Sequence, residues 1–283
     1  MNPTLLIAWF DAHARRLPWR EPGTTPWGVL VSEVMLQQTP VHRVTGVWSE
    51  WLARWPAPSS LAAETPGAAV RAWGKLGYPR RALRLHAAAT AMVDRHGGEV
   101  PDDIDELRAL PGVGDYTAAA VAAFAFGARV AVLDTNVRRV YARAFDGRED
   151  AATAPTVAER AAALARVPEV APASYSVAVM ELGALVCRAR APRCNDCPVA
   201  AQCRWLAAGR PVGRATRRTQ SYEGTDRQAR GRLLAVLRAS ALPVPAVVLD
   251  STWHDPEQRT RALESLVADG LVESVPDGYR LPA

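Results

Sequence analysis

The sequence predicts an all-α fold that ends in a small module of helices and one β-hairpin. Three observations predict it. Nearly half of the 283 residues are apolar (49%), enough to build a core. Alanine is abundant and β-branched runs are short, a composition that favours helix over sheet. Apolar positions recur three and four residues apart through most of the chain, whereas a strand–turn–strand signal is read around Asp277-Gly278.

The elements follow in order. Leu17-Pro18-Trp19-Arg20 and Pro22-Gly23 read as a turn before the first main helix, Trp27 to Gln37. Thr39 is the expected cap of the next helix, with Pro40 at its first position. That helix carries the stripe Val41, Val44, Trp48, Trp51, Leu52 and Trp55, a core face rather than a cofactor box. Further helices are predicted over 66–73, 80–96, 104–109 and 115–126. An extended piece from Arg129 to Leu133 leads to Asp134, the expected cap of a helix over 135–145. Helices over 157–165 and 175–186 follow. Residues 207–226 read as a linker in which Arg214, Arg217 and Arg218 are candidate phosphate contacts. Residues 227–283 show two helical stripes (Leu233, Leu234, Leu237; Leu263, Leu266, Val267) and the hairpin, an order that resembles a winged helix.

Formal charge is +5 and the pI about 9.3, which fits a polyanionic partner such as nucleic acid, the plain alternative being an unspecific basic surface. Lys75 is the one lysine, so amine chemistry through a lysine side chain is almost excluded. No apolar run approaches the roughly 20 residues of a membrane span; the longest, Ala118 to Ala128, stops at Arg129. Met1 to Phe10 runs into Asp11 and Arg15 without a signal-peptide cleavage pattern. A soluble, cytoplasmic protein with no membrane partner is the expectation. Cys187, Cys194, Cys197 and Cys203 hold all the cysteine of the chain in one segment, which points to a metal site rather than a disulfide framework. Spacing alone leaves zinc and an iron–sulfur cluster both open.

Leu110-Pro111-Gly112-Val113-Gly114 lies between two helices, with Thr117 just beyond. Glycine turns and the positive end of the following helix make a phosphate site from backbone N–H groups. Two carboxylates complete the chemistry. Glu33, within Val31-Ser32-Glu33-Val34-Met35-Leu36, has the apolar surroundings that raise a carboxyl pKa and suit a proton donor; the bland reading is a solvent-facing glutamate. Asp134, at a helix start, would be kept anionic by the helix dipole and would stabilise a developing sugar cation.

Ser32-Glu33-Val34-Met35-Leu36-Gln37-Gln38-Thr39, the LPGVG hairpin, Leu133-Asp134-Thr135-Asn136-Val137 and the cysteine segment resemble, in that order, adenine DNA glycosylases of the MutY type. These belong to the endonuclease III-like helix-hairpin-helix superfamily. The resemblance covers about residues 4–206. It implies a two-lobed helical fold with an inner six-helix lobe at about 25–130. It also implies a [4Fe–4S] cluster on the four cysteines and a monomer acting on double-stranded DNA with adenine opposite 8-oxoguanine or guanine, nucleoid-associated if the source is bacterial. By the same resemblance Glu33 protonates adenine, Asp134 stabilises the sugar cation, Asn136 orients Asp134 or water, and Tyr116 assists near the sugar. Trp19 and Arg20 line the base pocket; Gln38 and Tyr78 wedge into the base stack; Leu110, Gly112, Val113, Gly114 and Thr117 meet the DNA backbone.

The chain departs from the family at several points. Tyr116 stands where strand-cutting relatives carry a lysine, and Arg138 where some MutY enzymes have one, so a monofunctional glycosylase is expected. Val177 replaces a common Gln or Glu, Pro79 a common tyrosine, and 227–283 is too short for the nudix-like domain of many members. Two rivals remain at this stage: a thymine-mismatch or pyrimidine-lesion glycosylase of the same fold, and a non-enzymatic zinc-containing DNA-binding protein.

Overall fold

A computed structural model describes residues 1–213 and 222–283. Arg214, Arg217 and Arg218 lie outside the described residues. The helices are α1 (Pro3–His13), α2 (Pro26–Leu36), α3 (Val41–Arg54), α4 (Pro58–Ala62), α5 (Pro66–Trp73), α6 (Arg80–His96), α7 (Ile104–Ala109) and α8 (Asp115–Phe126). They continue as α9 (Thr135–Asp146), α10 (Val157–Arg166), α11 (Pro172–Leu185), α12 (Arg204–Ala207), α13 (Asp226–Ala239), α14 (Ala246–Asp250) and α15 (Pro256–Ala268). Strands β1 (Glu273–Val275) and β2 (Gly278–Arg280) form the one sheet among the described residues. None of the described helices is long and apolar enough to cross a membrane.

Local chemistry sets most boundaries. Thr65, Asp134, Thr156, Thr225 and Asp255 accept N–H groups from the first turns of α5, α9, α10, α13 and α15. Gly97, Gly127 and Gly147 end α6, α8 and α9 in left-handed conformation. Thr39 does not cap α3. Its hydroxyl instead accepts from the Arg81 guanidinium at 2.9 Å, because a charged donor outcompetes a backbone amide. Helix α1 and the short α4, α12 and α14 were not foreseen from periodicity. In α1, Leu6 alone is buried, which leaves no stripe to read.

The chain divides into two compact units. The first contains residues 1–29, 102–105 and 114–217. Its core joins Leu6 of α1, Val137, Val140 and Tyr141 of α9, and Tyr175, Ala178, Val179 and Leu182 of α11. The second contains 30–101, 106–113 and 218–283. There Trp51, Trp55 and Trp73 meet edge to face, with centroids 4.6 and 5.7 Å apart, and α4 and α5 pack on α6.

The C-terminal segment is part of the second unit. Helices α13 and α15 pack together, and the hairpin pairs Glu273 with Arg280 and Val275 with Gly278. Gly278 lies in β2 beside the turn, where a Cβ would come within 2.1 Å of the Val244 carbonyl oxygen that bridges to Tyr279. The tail is tied to α5: Gly67 N–H donates to the Pro282 carbonyl at 2.8 Å, and Arg238 Nε donates to the Val70 carbonyl at 3.0 Å.

Candidate active site

In the first unit the site is built around the start of α9. Asp134 Oδ1 accepts the Val137 N–H at 2.6 Å, and Oδ2 accepts the Asn136 amide at 2.8 Å. Burial pushes the Asp134 carboxyl above its ordinary value, against the downward pull of Val137, Asn136 and the Arg139 charge. The hydrogen bonds and the Arg139 charge therefore offset part of the cost of burial without cancelling it. Asn136 Oδ1 in turn accepts from Arg139 Nη2 at 2.8 Å. Arg139 is itself buried and donates to the carbonyls of Gly183 (2.7 Å) and Cys187 (2.8 Å). A Cβ at Gly183 would lie 2.8 Å from Asn136 Cβ, so α11 approaches α9 where only glycine fits. Sequence reading missed Arg139 and Gly183. The signal was a glycine inside a helix with no turn to explain it.

Trp19 and Arg20 lie on a single 3₁₀ turn, Pro18–Arg20, with Trp19 buried. Arg20 Nη2 donates to Glu181 Oε2 at 3.0 Å, and Arg15 forms a bidentate pair with the same carboxylate at 2.7 Å on both oxygens. Burial pushes Glu181 up, but the Arg15 hydrogen bond and the Arg20 charge outweigh it and bring the group down to about 2. Arg20 Nη1 is buried and has no hydrogen-bond partner among the described residues, which leaves a donor for an acceptor from outside. Glu181 was also missed, since nothing in its local sequence sets it apart. Val177 is half-buried on the same helix.

Tyr116 is half-buried on α8 against Ala119, Ala120 and Ala123. Gly114 precedes α8 in ordinary extended backbone (φ −96°). Gly112 alone of the hairpin glycines is left-handed (φ +79°), and a Cβ there would press on Arg84 Cβ at 2.6 Å. Leu110, Val113 and Thr117 are buried, at 2%, 7% and 2% exposure, so what they can offer DNA is backbone. The N–H groups of Gly112 and Gly114 have no acceptor among the described residues. Arg138 pairs with Glu159 at 2.7 Å and is buried, hence committed to the fold.

In the second unit Glu33 is 6% exposed, on α2 beside buried Ser32 and Val34, so the solvent-facing alternative fails. Gln38 and Tyr78 are both exposed. Both are left-handed (φ +53° and +48°), two of only five non-glycine residues so held among the described residues. Each costs on the order of 1–2 kcal/mol, strain that the surroundings must offset.

The four cysteines sit in the first unit between α11 and α12. Together they line one small pocket with Arg143, Val186, Pro192, Ala200, Trp205 and Leu206. No three His, Cys, Asp or Glu side chains of the described residues are grouped as a single ion would need. Burial pushes Cys187 up and Cys197 up to about 11. Arg143, 1% exposed, donates to Cys187 Sγ at 3.6 Å and stacks 4.5 Å over the Trp205 ring.

Residues 31–166 match the HhH-GPD superfamily of base excision DNA repair proteins. The adenine DNA glycosylase of Mycolicibacterium smegmatis is 54% identical over 280 residues, 98% of this chain and 94% of the relative. That of Mycobacterium tuberculosis is 55% identical over 287 residues, 100% of this chain and 94% of the relative. The human adenine DNA glycosylase is 38% identical over 210 residues, 70% of this chain and 38% of its own length. A thermostable thymine-DNA glycosylase shares the fold at TM-score 0.68 and 25% identity, over 73% of this chain and 95% of that one. Endonuclease III trapped on DNA aligns at TM-score 0.62 and 24% identity, over 73% and 94% of the two chains. With identity above half sustained from end to end, this chain belongs to the adenine DNA glycosylases of the helix-hairpin-helix base excision repair superfamily.

Proposed function

We propose that this chain removes adenine mispaired with 8-oxoguanine or guanine in double-stranded DNA and leaves the strand uncut. The observation that carries the reading is Asp134: a buried carboxylate at a helix N-terminus with both oxygens fixed by short hydrogen bonds. As the glycosidic C–N bond breaks, its electron pair leaves with the base and positive charge grows on the sugar. An aligned anion stabilises that charge without reorganising. Glu33 supplies the proton that lets adenine leave as a neutral base. Water then adds to the sugar carbon and gives its proton to the carboxylate that Glu33 has become. Asn136 holds Asp134, Tyr116 lies near the sugar, and Trp19 and Arg20 shape the base pocket, with Arg20 Nη1 free to donate to a base acceptor. Gln38 and Tyr78 wedge into the stack from which adenine is extruded. Backbone N–H groups of the hairpin, with Gly112 and Gly114 at its turn, grip phosphate.

Cys187, Cys194, Cys197 and Cys203 would hold one [4Fe–4S] cluster. Four thiols around one pocket suit such a centre, and the family resemblance, rather than the donor set, prefers it to zinc. The cluster's contribution is structural, fixing a loop rich in arginine. Residues 1–206 are read as the glycosylase domain and 227–283 as a winged-helix-like module, joined by 207–226, in a monomer that acts on chromosomal DNA. The adenine reading is preferred to thymine because identity to the two mycobacterial adenine enzymes is more than double that to the thymine enzyme.

The test is base release from duplexes carrying A opposite 8-oxoguanine, A opposite G, and T opposite G. Adenine is expected from the first two and no thymine from the third; thymine release sinks the assignment. Glu33→Gln is expected to bind the first duplex yet release no adenine above background, and excision retained by this variant removes Glu33 from the mechanism. The native protein should be brown, which a zinc protein is not.

A further inference from the structure

Gln38 follows α2 and Tyr78 precedes α6, on separate loops whose backbones are both left-handed. One side chain reaches both. Arg81 Nη1 donates to the carbonyls of Val34 (2.8 Å), Met35 (3.0 Å) and Gln37 (2.6 Å) at the C-terminal end of α2. Its Nη2 donates to Thr39 Oγ1 (2.9 Å) and to the Gly77 carbonyl (3.0 Å). The acceptors therefore flank Gln38 on both sides and include the residue just before Tyr78. The Arg81 backbone N–H donates to the Tyr78 carbonyl at 3.0 Å, and the guanidinium lies 5.5 Å from the Tyr78 ring centroid and 5.1 Å from that of Trp73.

Arg81 is 6% exposed, so it is not itself a phosphate contact. No ion pair joins it to a carboxylate among the described residues; its charge rests on carbonyl dipoles at a helix C-terminus and on two ring faces. Burial brings it down to about 10. A desolvated cation held by the last turn of α2 and by acceptors on the two loops that follow α2 and precede α6 is a clamp. Only the planar fork of arginine can meet acceptors spread this widely; an ammonium would reach part of the set.

We infer that Arg81 is the positioning residue of mispair recognition: it locks the Gln38 and Tyr78 loops into the one geometry in which both side chains can enter the stack. This rests on the wedge reading given above for Gln38 and Tyr78. The clamp is made in the free protein, so the wedge is preorganised and binding need not order it.

The test uses the full chain and a duplex with 2′-fluoro-adenine opposite 8-oxoguanine, which resists hydrolysis because fluorine destabilises the sugar cation. Affinity for it is compared with affinity for the matched A·T duplex. Arg81→Lys is expected to lower the ratio of the two on the order of tenfold, with matched-duplex affinity unchanged. Thr39→Val, which removes one Nη2 acceptor at nearly constant volume, is expected to move the ratio in the same direction by less. A purely structural role would weaken both duplexes alike and leave the ratio untouched, which overturns the inference. Gln38→Ala and Tyr78→Ala are run beside them. If they lose discrimination while Arg81→Lys and Thr39→Val keep it, the clamp fails and the wedge stands. If they keep discrimination, the wedge reading falls and the clamp falls with it.

Discussion

At Asp134, burial and hydrogen bonding pull the carboxyl in opposite directions, and burial prevails. Its proton is therefore taken up above the ordinary aspartate value of 3.8 as pH falls. In the proposed chemistry the anion is the working form, so excision is expected above the shifted value and is expected to be lost as pH drops through it. Single-turnover rates measured across acid pH are expected to show a limb above 3.8; a limb at or below that value would mean that the hydrogen bonds outweigh desolvation. Glu181, brought down to about 2, stays charged throughout such a profile and keeps hold of Arg15 and Arg20. The Asp134 cap was legible in the sequence because capping acts over three residues. The Glu181 pairs were not, because their partners lie 161 and 166 positions away.

At the scale of elements, α9 organises half of the candidate site. Asp134 stands at its N-terminus, Asn136 in its first turn, and Arg139 and Arg143 on the buried side toward α11 and the cysteines. Gly183 on α11 is what permits this approach. Gly183→Ala is expected to push Asn136 off Asp134. The added methyl costs about 1–3 kcal/mol as overpacking, offset in part by about 1 kcal/mol of better helix propensity. Excision should fall more than stability does. Thermal melting and single-turnover excision together check this; full activity with unchanged melting would show that α11 yields. Most helix limits were readable within a residue or two, since caps and apolar stripes are local. Short α4 and α14 were not, because five residues are less than two turns and cannot show a period.

Over the whole molecule, Glu33 lies in the second compact unit and Asp134 in the first. Composition sets a second global limit. With Lys75 the only lysine, Tyr116 in the hairpin and Arg138 locked to Glu159, no lysine amine is offered at the candidate site for a Schiff base. Incubation with abasic DNA and borohydride is expected to give no efficient covalent trap. A strong trap would assign backbone cleavage to this chain and defeat the monofunctional reading.

The sequence by itself determined the helical class, the family resemblance and the cysteine set, and it marked Glu33 and Asp134 as candidates, because each signal is written in its own short segment. Tertiary structure alone decided that Glu33 is buried, that Glu181 fastens Arg20, that Arg81 ties two strained loops, and that Thr39 serves a guanidinium instead of capping a helix. The physical reason is range. Propensity, capping and periodicity act within one or two turns, whereas a buried charge is satisfied by whichever dipoles packing brings to it from distant parts of the chain.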